Sequence, residues 1–386
     1  MTDRYLQTLE HTAIRAPRLA LILPDLRPGG AERIAVNIAN TLADRGHLVD
    51  MVLLSAVGEL MSDLRPGVAV VDLGIDRVRW SLLPLTLYLQ RSRPSVALVC
   101  MWPLTVIALW ARWFARVPTR MVVAEHTTWS RSELLDRPTV GWQIRTSMHH
   151  FFPNADAIVA VSKGAAEDLA HFARLERRII SVIYNPVVGA ERQVSGSVLE
   201  PNRWWSGPQK RVLAVGTLKP IKDYTTLLAA FARLRQQVDA NLLILGEGEC
   251  RAAMEAQAHR LGISDSVFMP GFVKDPAPYY QHADLHVLSS TGEGLPTVII
   301  EALAAGTPVV STDCPSGPRE ILVDGQFGRL VPVGDATALG TAMAESLATA
   351  HDCAALKARA QDFAIDKAVD QYEALLFTTP SAGPVT

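Results

Sequence analysis

Short apolar runs that end in turn residues alternate with longer stretches whose apolar positions recur every three to four residues. The first run, RLALILPDL (18–26), precedes GGAERIAVNIANTLADRGH (29–47), which carries apolar residues at helical spacing, and LVDMVLLS (48–55) follows. Strand, loop, helix and strand in that order make the building unit of a parallel sheet. VAVVDLG, SVALVCM, RMVVAEH and AIVAVS continue the alternation, and it restarts at RVLAVGTL (211–218). The helical DYTTLLAAFARLRQQ then leads to ANLLILGEG (240–248), SVFMPGFV, ADLHVLSS, a helix after Leu295, and TPVVSTD. A restart of this kind predicts an α/β protein with two Rossmann-like domains in tandem.

The predicted boundaries are 1–190 for the first domain, 191–210 for a linker and 211–355 for the second domain. A helical stretch over 356–377 and a disordered tail over 378–386 complete the chain. The linker prediction comes from the aperiodic, Pro/Gly/Ser-rich PVVGAERQVSGSVLEPNRWWSGPQK (186–210). A length of 386 residues suits two domains that each bury a core.

Net charge is −2, so the whole chain gives no reason to expect nucleic acid. Residues 1–190 carry 21 Lys+Arg against 17 Asp+Glu, whereas the remainder carries 16 against 22. The basic first half fits an anionic partner or a membrane surface. Cys100, Cys250, Cys314 and Cys353 are scattered, with no paired spacing and no histidine at ligand distance. They read as reduced structural thiols of a cytoplasmic protein, and no metal site is expected. The polar start MTDRYLQTLEHTAIRAPR lacks the apolar centre of a signal peptide. From Pro94 to Ala111 no residue is charged, but a buried strand followed by an apolar helix accounts for that run without a bilayer. By contrast, RVRWSLLPLTLYLQRSRP (77–94) and WARWFARVPTR (110–120) mix Trp, Leu and Arg without acids. Such segments either pack on the sheet with arginines outward or lie on an anionic membrane.

In open parallel sheets ligands bind beyond the carboxyl ends of strands. Thr291-Gly292-Glu293-Gly294 follows the strand DLHVLSS, and Pro296 suits the start of the helix that ends near Gly306. Backbone N–H groups around Gly294, Leu295, Pro296 (which lacks one) and Thr297 form a helix-start anion site suited to phosphate. Glu301 stands about 9 Å along the helix from Leu295, so Glu293 and Glu301 are separate carboxylates. Read alone, they are as easily two solvated glutamates. GTLKPIKDY (216–224) places Lys219 and Lys222 on another strand-end loop, in a chain with only seven lysines. Gly29 and Gly30 open the first helix, and His126 ends RMVVAEH. Glu125 is expected on the opposite side of that strand. The G-x-G-x-x-G dinucleotide fingerprint is missing, which argues against a nicotinamide dehydrogenase.

The E-x7-E pair within EGLPTVIIEALAAGTPVVST, the lead-in SSTGEGLP, and CPSGPREILVDGQFGRLVPVGD (314–335) resemble the family-4 retaining glycosyltransferases of GT-B architecture. GGAER and EHTTWS resemble a subgroup that builds bacterial surface and lipid-linked glycans. The resemblance implies two Rossmann-like domains facing across a cleft, with the 356–377 helix crossing back to the first. It implies transfer of a sugar from a nucleoside diphosphate sugar, uridine diphosphate being the expected carrier, to a glycan or lipid-linked acceptor hydroxyl. Glu293 would hold donor-sugar hydroxyls and Glu301 the ribose, with Gly294, Leu295, Pro296 and Thr297 at the diphosphate or sugar. Lys222 falls on the family's phosphate lysine, while Thr217 stands where an arginine is common. Gly30 would meet the donor phosphates, and His126 would position the donor sugar or the acceptor hydroxyl. The loop GFVKDP (271–276) would meet the base through its backbone. No cofactor and no bridging metal is expected, and contact with the inner face of an anionic membrane is. A related GT-B epimerase or phosphorylase, or a non-catalytic nucleotide-sugar scaffold of a glycan assembly complex, are the alternatives.

Overall fold

In the computed structural model, residues 17–189 and 207–377 are described. The sequence expectations for the first sixteen residues, most of the linker and the 378–386 tail lie outside them. Strands β1 (Arg18–Leu23), β2 (Leu48–Leu53), β3 (Val68–Asp72), β4 (Val96–Cys100), β5 (Arg120–Glu125), β6 (Ala157–Ala160) and β7 (Ile180–Val182) form one sheet in the order β3-β2-β1-β4-β5-β6-β7. Strands β8 (Lys210–Val215), β9 (Ala240–Leu245), β10 (Val267–Gly271), β11 (Leu285–Leu288), β12 (Val309–Thr312) and β13 (Arg329–Val331) form the other, in the order β10-β9-β8-β11-β12-β13. The chain is thus two parallel-sheet, Rossmann-like domains. In each, strand order reverses beside the first strand, between β1 and β4 and between β8 and β11, which is where this fold opens a crevice.

Parallel sheets are covered by helices on both faces, so their strands are apolar throughout instead of alternating. Leu19 to Leu23 of β1 are fully buried, and β9 is buried at every position. Asp50 interrupts this pattern in β2. Its carboxylate accepts hydrogen bonds from Arg18 Nη1 at 3.1 Å and Tyr88 Oη at 2.8 Å, so the buried charge is paired. Around the second sheet, Ile244 and Leu285 of its strands and Leu228, Phe231 and Leu339 of the covering helices lie in one buried cluster. Strands β7 and β13 have only three residues each, too few to show a period, and local pattern does not single them out.

Close packing divides the chain into two units. Among the described residues, one comprises 17–125, His150–Ile158 and 369–377; the other comprises His126–His149, 159–189 and 207–368. The stretch 356–377 is helical in two pieces, Cys353–Ala360 and Ile365–Phe377, joined by a tight turn at Gln361–Phe363. Within the first unit, Glu373 of the last helix bonds Arg45 Nη1 at 2.6 Å and His47 Nε2 at 2.6 Å. Phe377 stacks on His47 with ring centroids 4.5 Å apart. Among the described residues no helix is long and apolar enough to cross a membrane, and no group of acidic, His and Cys side chains could hold a metal ion. None of the four cysteines is in a disulfide.

Candidate active site

β11 is a buried strand that runs into Ser289, Ser290 and the loop 291–296, and the helix Thr297–Ala305 begins directly after. Ile299, Ile300, Ala302 and Leu303 anchor that helix in the core, and Gly306 stops it with φ 83°. Pro296 occupies the cap position itself, one place before the first helical residue, and no side chain caps the helix. Its amino end therefore keeps the positive end of the helix dipole for a ligand.

Glu293 sits at the mouth of this helix with its carboxylate fixed on two sides. Lys222 Nζ donates to Oε1 at 2.6 Å, and Ser290 Oγ donates to the same oxygen at 2.6 Å. Lys222 and Glu293 side chains are only 20% and 12% exposed, so water screens this pair little. Lys222 reaches it from the tight turn Pro220–Lys222, beyond the end of β8. That turn is tied to the β11 loop: Ser289 Oγ donates to the Lys222 carbonyl at 2.7 Å and the Thr291 N–H to the Ile221 carbonyl at 2.8 Å. Asp223, at φ 45°, closes the turn and caps the next helix by accepting from the Thr226 N–H at 3.1 Å.

The loop backbone is held residue by residue. Thr128 Oγ1 donates to the Glu293 carbonyl, Ser162 Oγ to the Gly294 carbonyl at 2.8 Å, and Asn185 Nδ2 to the Leu295 carbonyl at 3.3 Å. Gly294 packs so closely on the His126 carbonyl that a Cβ there would run into it, so glycine is required for the approach. Gly246 plays a similar part at the end of β9, where a Cβ would strike the Gly216 carbonyl. Gly271 accepts from the Gly246 N–H at 2.8 Å, which joins the GFVKDP loop to the same group of strand ends.

His126, just after β5, thus lies in the same unit as Glu293 and Lys222, with its carbonyl against Gly294. Both its ring nitrogens are buried, and neither finds a hydrogen-bond partner among the described residues. Burial holds the imidazole neutral, with its pKa lowered to about 4. A neutral ring offers one N–H and one lone pair, a set suited to a hydroxyl. The lowered value also has a consequence for stability. Between about pH 6.5 and pH 4 the unfolded chain binds a proton at His126 that the folded chain does not, so this contribution is present above that window and lost as pH falls through it. His126→Asn is expected to flatten the acid side of a melting-temperature profile between pH 7.5 and 4. Parallel curves for the variant and the parent would contradict a buried neutral imidazole.

Glu125, one residue earlier, is buried and accepts from Thr105 Oγ1 at 3.3 Å, so it is engaged with the helix Leu104–Ala115. Glu301 is half-buried in the second turn of its helix. Burial, followed by the Glu301 carboxylate, pushes the Tyr280 phenol well above its usual range. Burial and then Glu293 likewise push the Cys314 thiol up to about 12, so Cys314 is an inert neighbour of the site. Thr217 and Lys219 are exposed on the loop after β8. Gly30 is the first residue of the helix Gly30–Asp44 in the other unit, with open space where a side chain would be. Thr128, Ser162, Asn185, Ser290 and Tyr280 belong to the arrangement but carry no signal by residue type. Only the doubled serine ahead of Thr291 is a feature that sequence reading could have used.

Residues 28–188 match the model described as Glycosyltransferase Family 4, and residues 209–349 the model described as Glycosyl transferases group 1. The chain is 31% identical over 330 residues to the Rhizobium meliloti lipopolysaccharide core biosynthesis glycosyltransferase LpsE, covering 83% of this chain and 86% of that one. It is 32% identical over 232 residues to a Campylobacter jejuni N-acetylgalactosaminyltransferase named for a diphospho-undecaprenol-linked substrate. That match spans 59% of this chain and 60% of the relative's length. Among solved structures, Anabaena HepE in complex with UDP-glucose superposes with a TM-score of 0.75 at 20% identity, covering 93% of this chain and 99% of that one.

Proposed function

Because the chain belongs to the family-4 glycosyltransferases of GT-B architecture, we propose that it is a retaining enzyme that moves a hexose-type sugar from a nucleoside diphosphate, UDP being the expected carrier, to a hydroxyl of a glycan or lipid-linked saccharide. The observation that carries this reading is the Lys222–Glu293 pair at the uncapped start of the helix Thr297–Ala305, with the partnerless His126 imidazole on the adjoining loop. A nucleotide sugar has a complementary chemical outline. Its diphosphate suits Lys222 Nζ and the helix-start N–H groups contributed by Gly294, Leu295 and Thr297, with Pro296 shaping the turn. Its sugar hydroxyls suit Glu293 and His126, and its ribose hydroxyls suit Glu301. Gly30 and Thr217 would contribute backbone and hydroxyl contacts to the phosphates.

In the step we assign, the bond from the anomeric carbon to the diphosphate oxygen breaks. The acceptor hydroxyl bonds to that carbon from the same face, and its proton passes to the departing phosphate oxygen. Configuration is retained without a covalent intermediate on Glu293, whose carboxylate stabilises the positive charge that develops at the sugar. Lys222 and the helix dipole stabilise the leaving diphosphate. The acceptors named for the relatives include lipid-linked saccharides, so the enzyme would work against the inner face of a membrane.

A thermal-shift panel of nucleoside diphosphates and their sugars tests the donor half of this reading. Stabilisation on the order of 5 °C by one nucleotide at about 100 times its Kd is expected, with or without a chelator. Glu301→Ala should shrink that shift. No response to any nucleotide would overturn donor binding. Stabilisation with no transfer to any acceptor would favour a binding scaffold, the reading that Thr217, standing in place of a cation, supports.

A further inference from the structure

We infer that Thr128 and Ser162 are positioning residues for the donor diphosphate, an assignment that rests on the nucleotide-sugar reading of this site. Their hydroxyls fix the direction of two loop peptides, so that the N–H groups of Gly294 and Leu295 face a phosphate. Three hydrogen bonds to consecutive carbonyls, all within one unit, carry this assignment. Thr128 Oγ1 donates to the Glu293 carbonyl, Ser162 Oγ to the Gly294 carbonyl at 2.8 Å, and Asn185 Nδ2 to the Leu295 carbonyl at 3.3 Å. The three donors are uncharged, and their residues are no more than 3% exposed.

Peptide geometry makes these bonds matter. The loop peptides are trans, so the C=O and N–H of one unit point in opposite directions. Holding the Glu293 carbonyl toward Thr128 turns the Gly294 N–H away from that residue. Holding the Gly294 carbonyl toward Ser162 does the same for the Leu295 N–H. The third unit ends at Pro296, which has no N–H to aim, so Asn185 serves only as an anchor. Among the described residues, none accepts a hydrogen bond from the Gly294 or the Leu295 N–H. Backbone donors left without a protein acceptor take solvent or a ligand, and at a helix start the favoured ligand is an anion. Gly294 makes the pinning necessary. Its close approach to the His126 carbonyl excludes a side chain, and without a Cβ the peptide units beside it turn over more easily. A turned unit would present a carbonyl oxygen to the phosphate and replace attraction with repulsion. Lys222 shares its charge with Glu293 Oε1 at 2.6 Å, so the backbone donors carry part of the diphosphate binding.

Titration of the full-length protein with whichever of UDP and GDP it binds, and with the matching nucleoside, tests this role. Thr128→Val deletes the hydroxyl and keeps the side-chain shape. It should weaken nucleoside diphosphate binding about tenfold, the scale of a hydrogen bond to a charged group. Nucleoside binding, which involves no phosphate, should stay unchanged. Thr128→Ser restores the donor and should recover most of the lost affinity. Ser162→Ala should show the same selective loss. It should also melt at a lower temperature, because Ser162 Oγ accepts from the Ala165 N–H at 3.0 Å and caps the helix Lys163–Ala173. Diphosphate binding by Thr128→Val equal to that of the parent would overturn the role. So would an equal loss for diphosphate and nucleoside, because the hydroxyl would then only support the loop. A parent that binds neither nucleotide would overturn the donor reading itself, and this role with it.

Discussion

Glu293→Gln is expected to fold and bind nucleotide much as the parent does, and to lose roughly 10²–10³-fold in turnover, the scale of removing one preorganised group that faces charge developing in the transition state. The substitution is nearly isosteric, and Lys222 Nζ and Ser290 Oγ can still donate to an amide oxygen turned toward them. What changes is the negative charge, held with little exposure and therefore felt strongly by a reacting sugar. The check is a steady-state transfer assay together with a melting curve. Parent-like turnover in a well-folded Glu293→Gln protein would refute the role assigned to this carboxylate.

Lys222→Ala should be damaging in a different way. It removes the cation proposed for the diphosphate and also strands Glu293, whose other side-chain donor among the described residues is Ser290. Breaking a mostly buried pair from one side costs about 3 kcal/mol or more, since the surviving charge stays desolvated. The variant should therefore melt at a lower temperature, and nucleoside diphosphates should stabilise it far less than the parent. The double variant Lys222→Ala/Glu293→Gln separates the two effects. Its stability should recover relative to Lys222→Ala alone, while nucleotide affinity should stay low. If Lys222→Ala keeps parent-like nucleotide binding, the diphosphate assignment fails and the lysine only organises Glu293.

Two kinds of information meet in this protein. Local pattern was enough for the α/β class, for eleven of the thirteen strands among the described residues, and for the position of Lys222, His126 and Glu293 on loops just beyond strand ends. Buried parallel strands and one-sided helices write their periods directly into the chain, and the ligand end of such a sheet follows from strand direction. β7 and β13 were beyond that reach at three residues each. So was the helix Arg251–Arg260, which buries only Met254 and Ala258 and shows almost no apolar stripe.

What tertiary structure alone decided is the company these residues keep. The Lys222–Glu293 pair joins positions 71 apart, the Ser162–Gly294 bond positions 132 apart, and the Thr128–Glu293 bond positions 165 apart. No local period carries such pairings: the first depends on β8 and β11 being neighbours in one sheet, and the other two on the loops after β5 and β6 lying against the loop after β11. The same holds for His126. Its type and strand-end position can be read in RMVVAEH, but the burial that holds its ring neutral exists only in the folded chain.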